Sequence, residues 1–241
     1  MYKNYIFDLY GTLVDINTNE WKASLWKNMA MIYSLSGAAY KPKELNRAYD
    51  KYLADEIASI PKEKYYTHPE PLIDNVFSRL YSEKGIEYNK EMIAYTARVF
   101  RALAIKYIKL YDGVEELFQC IRDHGGRIYL LSNAQRSFTE PEIRMLGLYD
   151  KFDDILISSD EGCAKPDKKF FECLLERHSL DPKECIMIGN DQTTDILGAY
   201  KAGIDSLYVH TNISPEVKGE LMSKYTIMSG SLIEARKQLF D

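Results

Sequence analysis

The chain has 241 residues, of which 46% are hydrophobic and 28% are charged, and its formal net charge is −5. Such a composition is typical of a globular protein with one large domain or a core plus an insertion, and its interspersed charges argue against a nucleic-acid-binding surface. Asp8 interrupts the first apolar run and no later run reaches about 18 residues, so we expect neither a signal peptide nor a membrane span.

The cysteines and histidines indicate neither a disulfide framework nor a zinc site. No two of the four cysteines form a C-x-x-C pair, and the four histidines are scattered. We therefore expect reduced thiols in a cytoplasmic protein. The cysteines are Cys120, Cys163, Cys173 and Cys185.

The first stretch with candidate catalytic residues lies near the N-terminus. Residues 5–7 are apolar and suit a buried strand, and they are followed by Asp8, by Gly11 at a turn and by Thr12. A strand that ends this way presents its aspartate at the carboxyl edge of a sheet, where open α/β folds bind ligands. Asp8 could attack an electrophile there and form a covalent intermediate. A capping aspartate before an ordinary turn would give the same pattern.

The next segment, from about residue 20 to residue 109, is predicted to be helical without any strand. Its apolar residues recur every three or four positions. Pro42 suits a first helical turn, and Asn89 suits a helix N-cap. Four amphipathic helices of this kind predict a small bundle.

The remainder of the chain alternates between helices and strands. Strands are predicted over 127–131, 152–158, 185–188, 206–209 and 225–228, and helices over 114–123, 138–146, 167–178, 194–202 and 231–240. This alternation predicts an α/β fold with a doubly wound parallel sheet that is covered by helices on both faces. The predicted core domain comprises residues 1–14 and 110–241, and the inserted helical domain comprises residues 15–109.

Polar residues follow three of the later segments. Ser132 and Asn133 end a strand, Lys165 lies before Pro166, and an acidic loop over 189–195 follows another strand. A nucleophilic aspartate, a hydroxyl, a lysine and an acidic loop in this order resemble the haloacid dehalogenase superfamily. The resemblance extends from Tyr5 to about Leu207.

This resemblance implies a role for each polar residue. Asp8 would be the nucleophile, and Lys165 would neutralise both Asp8 and the substrate anion. Thr12, Ser132 and Asn133 would bind substrate or phosphate. The helical insertion would be the cap of the superfamily's first cap class.

The acidic residues also predict a metal ion. Asp8, Asp191 and Asp195 contribute three negative charges and Lys165 one positive charge, so two negative charges would repel an anionic substrate. A divalent cation cancels them, and oxygen ligands suit Mg²⁺. The resemblance adds the backbone carbonyl of Tyr10 as a ligand. It also places Asp195 at the second aspartate position of the family's metal site and Asn190 where family phosphatases have the first, so Asp195 and either Asn190 or Asp191 would be ligands.

Tyr10 departs from the phosphatase pattern, in which an aspartate acts as general acid and base and contributes roughly 10²–10⁴-fold. A phenol, with a pKa of about 10, is a poor base at neutral pH. The Asp-x-Tyr-Gly-Thr motif instead resembles the 2-haloacid dehalogenases, whose halide leaving group needs no proton. Three features differ from those dehalogenases. They carry a halide-binding arginine early in the cap, but no arginine occurs here between Asp8 and Arg47. Their loop corresponding to 189–195 is poor in acids and binds no metal, whereas this one is acidic, and Phe171 stands where they have a tyrosine.

The sequence therefore predicts a Mg²⁺-dependent phosphatase of a small anionic metabolite, acting as a monomer or homodimer through an aspartyl phosphate on Asp8. Tyr10 itself, His68 or Glu70 are candidates to replace the missing acid. The alternatives are a metal-independent 2-haloacid dehalogenase and a catalytically weak binding protein with the same fold.

Overall fold

The computed structural model describes residues 1–62 and 68–241, and a six-stranded parallel sheet lies at its centre. The strands are β1 (Asn4–Phe7), β2 (Val14–Thr18), β3 (Ile105–Leu110), β4 (Arg127–Ser132), β5 (Asp154–Ile157), β6 (Cys185–Gly189), β7 (Asp205–Val209) and β8 (Tyr225–Ile227). The order in the sheet is β5-β4-β1-β6-β7-β8, and all neighbours are parallel. Phe7 at the end of β1 lies opposite both Leu130 and Ile188.

Helices cover both faces of this sheet. The helices are α1 (Ala23–Leu35), α2 (Pro42–Ser59), α3 (Ile73–Ser82), α4 (Lys90–Ala104), α5 (Val114–Asp123), α6 (Arg136–Met145), α7 (Ser158–Glu161), α8 (Lys168–His178), α9 (Leu197–Ala202) and α10 (Leu232–Phe240). Because side chains alternate along a strand, Tyr5 and Phe7 pack with α5 and α10 on one face, and Ile6 packs with α8 and α9 on the other. The predicted doubly wound α/β fold is confirmed.

Helices α1–α4 form the predicted bundle, which has an aromatic centre. The ring of Phe100 on α4 lies 5.4 Å from that of Tyr49 and 5.4 Å from that of Phe77, measured between centroids. Pro42 occupies the first turn of α2, and the Asn89 side chain caps α4 by accepting a hydrogen bond from the Met92 amide. Among the described residues, no helix is long and apolar enough to cross a membrane.

The prediction that no strand occurs between residues 20 and 109 is wrong. Ile105–Leu110 forms β3, which pairs antiparallel with β2 beside the main sheet. Its sequence Ile-Lys-Tyr-Ile-Lys-Leu fits a helical repeat as well as a strand, and its partner β2 is too polar to be recognised alone. The strand pair spans the predicted domain boundaries at 14/15 and 109/110, and the division into two domains stays a prediction.

Two smaller differences concern the helices near the strand ends. The helix predicted over 194–202 begins earlier, with a π-helical turn at Gln192–Ile196 that continues into α9. The strand predicted over 152–158 is shorter, because α7 begins at Ser158.

Helix α6 joins the bundle to the sheet. The ring of Phe138 on α6 belongs to the bundle's aromatic cluster, 6.0 Å from Phe100. The Ser137 hydroxyl donates to Asp74 Oδ1 at 2.6 Å, and Gln135 Nε2 donates to Glu70 Oε1 at 2.6 Å. The bundle is thus fastened to the helix that directly follows the Ser132–Asn133 strand end.

The aromatic centre of the bundle predicts a large effect of truncation at Phe100. Phe100→Ala removes a fully buried ring that contacts four other aromatic residues, so we expect a loss of about 3–5 kcal/mol in the free energy of unfolding. Urea denaturation measures this loss. Tyr95→Ala on the same helix, where the side chain is 52% exposed, should change stability by less than about 0.5 kcal/mol. Equal losses in the two variants would contradict the packing described.

Candidate active site

Polar residues collect at one edge of the sheet because β1, β4 and β6 are parallel neighbours. Asp8 directly follows β1, Ser132 is the last residue of β4, and Asn190 directly follows β6. The carboxyl ends of parallel strands lie at the same edge, which is where open α/β sheets bind ligands. The sheet itself therefore brings together three of the residues that the sequence singled out.

Lys165 lies at the centre of this group, with its side chain only 1% exposed. Its Nζ is 2.7 Å from Asp8 Oδ1 and 2.7 Å from Asp195 Oδ1, and it donates to the Leu131 carbonyl at 2.7 Å. Burial alone would lower the pKa of Lys165, but the carboxylates of Asp195 and Asp8 outweigh that effect, so the pKa lies above its ordinary value. The lysine is therefore charged at neutral pH.

Asn133 holds the backbone of Lys165 in place. Its Oδ1 accepts from the Lys165 amide at 2.8 Å, and its Nδ2 donates to the Lys165 carbonyl at 2.9 Å. The peptide bond between Lys165 and Pro166 is cis. The Asn133 side chain, predicted to bind phosphate, is thus engaged in positioning the lysine.

Thr12 links Asp8 to the loop after β6. Its buried hydroxyl lies 3.2 Å from Asp8 Oδ2 and 3.2 Å from Asn190 Oδ1. The turn between Asp8 and Thr12 requires a glycine, because Gly11 has φ +88° and a Cβ there would overlap the Asn190 amide. The glycine turn thus allows the loop after β6 to approach the loop after β1 closely.

Asp195 and Asp191 organise the acidic loop. Asp195 Oδ2 accepts from the backbone amides of Asn190 and Asp191, both at 3.0 Å. Burial raises the pKa of Asp195 to about 7, although Lys165 acts in the opposite direction. Asp191 Oδ1 accepts from the amides of Thr193 and Thr194 and so caps the turn that follows.

Ser132 has an unsatisfied hydrogen-bonding group. Its Oγ is buried and has no partner among the described residues. A buried polar group without a partner costs about 1–3 kcal/mol, which a bound oxygen atom would recover. This is the behaviour expected of a residue that contacts a ligand.

The hydroxyl group of Tyr10 is held by side chains of helix α6. Its hydroxyl donates to Glu142 Oε2 and lies 3.1 Å from Thr139 Oγ1. Burial and the Glu142 carboxylate raise the pKa of the phenol, so it stays protonated at any physiological pH. Arg101 lies over the ring, 5.6 Å from its centroid, and its Nε donates to Glu142 Oε1 at 2.6 Å.

Sequence reasoning missed Arg101 and Glu142. Each lies on an amphipathic helix, where a charged residue is ordinarily solvated, and the two are 41 positions apart in the chain. No local pattern links them. Only the packing of α4 against α6 makes them a buried pair in contact with Tyr10.

Two adjoining cavities open at this edge of the sheet, and both are lined by Tyr10 and Asn133. The first, which we call the nucleophile cavity, has about 240 Å³ and is also lined by Asp8, Lys165, Asn190, Asp191, Thr194, Asp195, Ile213 and Pro215. The second, which we call the leaving-group cavity, has about 330 Å³ and is also lined by Glu20, Tyr49, Leu53, Pro71, Ile73, Arg101, Ala134, Gln135, Phe138 and Thr139. A substrate could thus span two differently lined spaces.

The charges around Asp8 fit a bound cation. The Asp8 and Asp195 carboxylates contact Lys165 and the Asp191 carboxylate lines the same cavity, so acidic groups outnumber the lysine there. No cluster of three or more His, Cys, Asp and Glu side chains poised for a metal occurs in the described ranges 1–62 and 68–241. Asp195 is committed to Lys165 and two amides. A cation here would therefore combine carboxylate oxygens with amide or main-chain oxygens.

The two other candidates for the missing acid lie in the segment that precedes α3. The backbone amide of His68 donates to Asp167 Oδ2 at 3.3 Å. Glu70 accepts a hydrogen bond from Gln135, and burial raises the pKa of its carboxyl group to about 7 against the effect of hydrogen bonds from Ser158 and Gln135.

Comparisons with known proteins identify the family of this chain. A family model for haloacid dehalogenase-like hydrolases matches residues 2–203. A glyceraldehyde 3-phosphate phosphatase of Methanothermobacter thermautotrophicus is 27% identical over 214 residues, covering 89% of this chain and 88% of that protein. The pyrimidine 5'-nucleotidase PynA of Streptococcus pneumoniae is 27% identical over 210 residues, covering 86% and 83%. A 2-haloacid dehalogenase structure from Pseudomonas syringae has a TM-score of 0.68 at 17% identity and covers all of both chains.

The raised pKa of Glu70 predicts how stability depends on pH. Its pKa is about 7 in the folded protein and about 4.3 when unfolded, so the folded state binds more protons between these values. The contribution of Glu70 to the free energy of unfolding is complete below about pH 4.3 and is lost as the pH rises through about 7. Urea unfolding at pH 5 and pH 7.5 should show a smaller loss of stability for Glu70→Gln than for the unmodified protein. Glu87→Gln, at an exposed position, is the control, and its loss of stability between pH 5 and pH 7.5 should equal that of the unmodified protein.

Proposed function

The chain belongs to the haloacid dehalogenase-like hydrolases, and we propose that it is a Mg²⁺-dependent phosphatase of a small phosphorylated metabolite. One observation carries the proposal: Asp8 and Asp195 both contact the buried Lys165, and the Asp191 carboxylate lines the same cavity, so acidic groups outnumber the lysine there. A cation bound between such carboxylates and a phosphate would offset this excess of acidic groups and stabilise the charge that develops during phosphoryl transfer.

In this proposal Asp8, the backbone carbonyl of Tyr10, and Asn190 or Asp191 hold the metal ion. Asp195 supports them by fixing the amides of residues 190 and 191. Mg²⁺, when bound, offsets the carboxylate charges and polarises the phosphoryl oxygens. The carboxylate and amide oxygens of this loop suit a hard cation.

The proposed reaction has two displacements on phosphorus. A carboxylate oxygen of Asp8 attacks phosphorus, the bond to the leaving oxygen breaks, and an aspartyl phosphate forms. Water then attacks the phosphorus of this intermediate, releasing inorganic phosphate and restoring Asp8. Lys165 stabilises the Asp8 carboxylate before the attack and after its release, and the unpartnered hydroxyl of Ser132 is free to donate to a phosphoryl oxygen.

The leaving oxygen receives no proton from an acid at position 10. The Tyr10 phenol is bonded to Glu142 and has a raised pKa. Substrates whose leaving group needs no proton, such as acyl phosphates, should therefore react faster than alkyl phosphates. The activities of the two relatives described above, a phosphatase and a nucleotidase, support the reaction class.

We propose further that helices α1–α4 form a cap domain of the first cap class. The bundle lies between β2 and β3 in the chain; it contributes Tyr49 and Arg101 to the leaving-group cavity, and the loop before α1 contributes Glu20. A cap in this position would select the substrate, and the β2–β3 pair would connect it to the core.

Metal removal and loss of the nucleophile test the proposal. Phosphate release from acetyl phosphate and a panel of metabolites should require Mg²⁺ and stop in EDTA. Asp8→Asn should lower the rate to background, because an amide cannot form the intermediate, while thermal melting shows that the variant is folded. Retention of most of the activity in Asp8→Asn would exclude Asp8 as the nucleophile. Tight metabolite binding without any turnover would instead support a binding protein.

The second candidate function is dehalogenation, which is favoured by Tyr10 in the Asp-x-Tyr-Gly-Thr motif. Chloride release from 2-chloropropionate that persists in EDTA would establish it over phosphatase activity. Arg101 is a cation beside Tyr10 that the sequence-based argument did not include, but its charge is engaged by Glu142.

Tyr10→Asp separates the two candidate reactions. In a phosphatase the new carboxyl group can protonate the leaving oxygen, so the rate with alkyl phosphates should rise by up to roughly 10²–10⁴-fold. The rate with acetyl phosphate, which needs no proton donor, should not rise. In a dehalogenase the added negative charge near Asp8 should lower chloride release. Tyr10→Phe is the control, since it removes the hydroxyl without adding an acid and should not accelerate either phosphate substrate. A folded Tyr10→Asp variant that still requires Mg²⁺ but shows no gain would argue against a merely missing acid.

A further inference from the structure

The leaving-group cavity contains an arginine whose charge is already neutralised. Arg101 Nε donates to Glu142 Oε1 at 2.6 Å, and the side chains of these two residues are only 14% and 6% exposed. Arg101 Nη1 also lies 3.7 Å from Glu20 Oε1. Glu142 therefore satisfies the guanidinium before any substrate binds.

Arg101 is also fixed in place by aromatic rings. Its guanidinium carbon lies 5.6 Å from the centroid of Tyr10 and 5.4 Å from that of Phe138. The Tyr10 hydroxyl bonds to the same Glu142 carboxylate, so the pair is held from both sides. If the arginine moved to meet a substrate anion, Glu142 would remain buried without its ion-pair partner.

The remaining charge in this cavity is negative. Among the described residues that line it, Glu20 and Arg101 are the charged ones, and Arg101 is offset by Glu142. The other walls are aromatic or aliphatic, and include Tyr10, Tyr49, Leu53, Ile73 and Phe138. A second anionic group on the substrate would meet an acidic residue there and find no available cation.

We propose that the leaving-group cavity selects phosphate monoesters whose alcohol portion is uncharged or cationic, and that Glu20 and the Arg101–Glu142 pair exclude a second anionic group. This inference rests on the proposed phosphatase function. It assigns Glu20 as a residue that contacts the alcohol portion, and Glu142 as a positioning residue that acts through Arg101.

Three phosphate esters of the same length test the inference. The alcohol portion of O-phosphoethanolamine carries an ammonium group, that of 2-hydroxyethyl phosphate is neutral, and that of 2-phosphoglycolate carries a carboxylate. At pH 8 we expect kcat/KM to be at least about tenfold lower for phosphoglycolate than for each of the other two. An equal or higher kcat/KM for phosphoglycolate would overturn the inference.

Two variants separate the charges involved. Glu142→Gln makes the Arg101 charge available while keeping a hydrogen-bond acceptor, so it should raise kcat/KM for phosphoglycolate relative to 2-hydroxyethyl phosphate by at least about tenfold. Glu20→Gln should lower the preference for phosphoethanolamine over 2-hydroxyethyl phosphate.

Glu140→Gln on the same helix as Glu142, α6, where the side chain pairs with Arg144, is the matched control and should leave the ratios of kcat/KM among the three esters unchanged. If Glu142→Gln does not fold, the Glu20 variant and the unmodified protein still decide the question. Unchanged ratios in the folded Glu20 and Glu142 variants would contradict the assignment.

Acetyl phosphate distinguishes failure of this inference from failure of the proposed function. Its acetyl group is small and uncharged, and its departure needs no proton. Mg²⁺-dependent hydrolysis of acetyl phosphate together with a flat or inverted order among the three esters would overturn the inference alone. The absence of hydrolysis with all four compounds would overturn the phosphatase function and the inference with it.

Discussion

The candidate active site depends on one buried ammonium group. Lys165 Nζ lies 2.7 Å from carboxylate oxygens of both Asp8 and Asp195, which belong to loops after adjacent strands. Without this charge, two buried carboxylates would face each other with no compensation, which is a costly arrangement. The positions of the lysine backbone, the Asn133 clamp and the amides held by Asp195 all follow from the need to keep the ion pairs intact.

The parallel sheet explains how distant segments supply these groups. Asp8 and Lys165 are 157 positions apart in the chain; Asp8 directly follows β1, and Lys165 lies in the loop between α7 and α8. Glycine allows the final approach, because a side chain at position 11 would overlap Asn190 and a side chain at position 189 would overlap Asp195. The fold thus supplies a dense, acidic edge, and the α1–α4 bundle supplies the wall that faces it.

Sequence reasoning succeeded where the pattern was local and failed where the partner was remote. Strands such as Ile186–Ile188 are buried on both faces, so they appear in the sequence as continuous apolar runs. By contrast, β3 is half-exposed and was predicted as helix, because its two isoleucines lie three positions apart, as in a helical repeat. The order of polar residues after strands predicted which side chains would meet. It could not predict that the Asn133 side chain bonds to the Lys165 backbone, or that Tyr10 bonds to Glu142, since those partners depend on how helices and loops pack.

The bond between Tyr10 and Glu142 has an evolutionary consequence. The phenol is a donor to a buried carboxylate, so replacing it by an acid withdraws a hydrogen bond from Glu142 and places another negative charge nearby. An evolutionary exchange of tyrosine for aspartate at position 10, or the reverse, therefore favours a compensating change at Glu142 or Arg101. The effect of a substitution at position 10 thus depends on the residues at positions 142 and 101. Residue 10 of the Asp-x-Tyr-Gly-Thr motif is therefore expected to evolve together with residues of the leaving-group cavity.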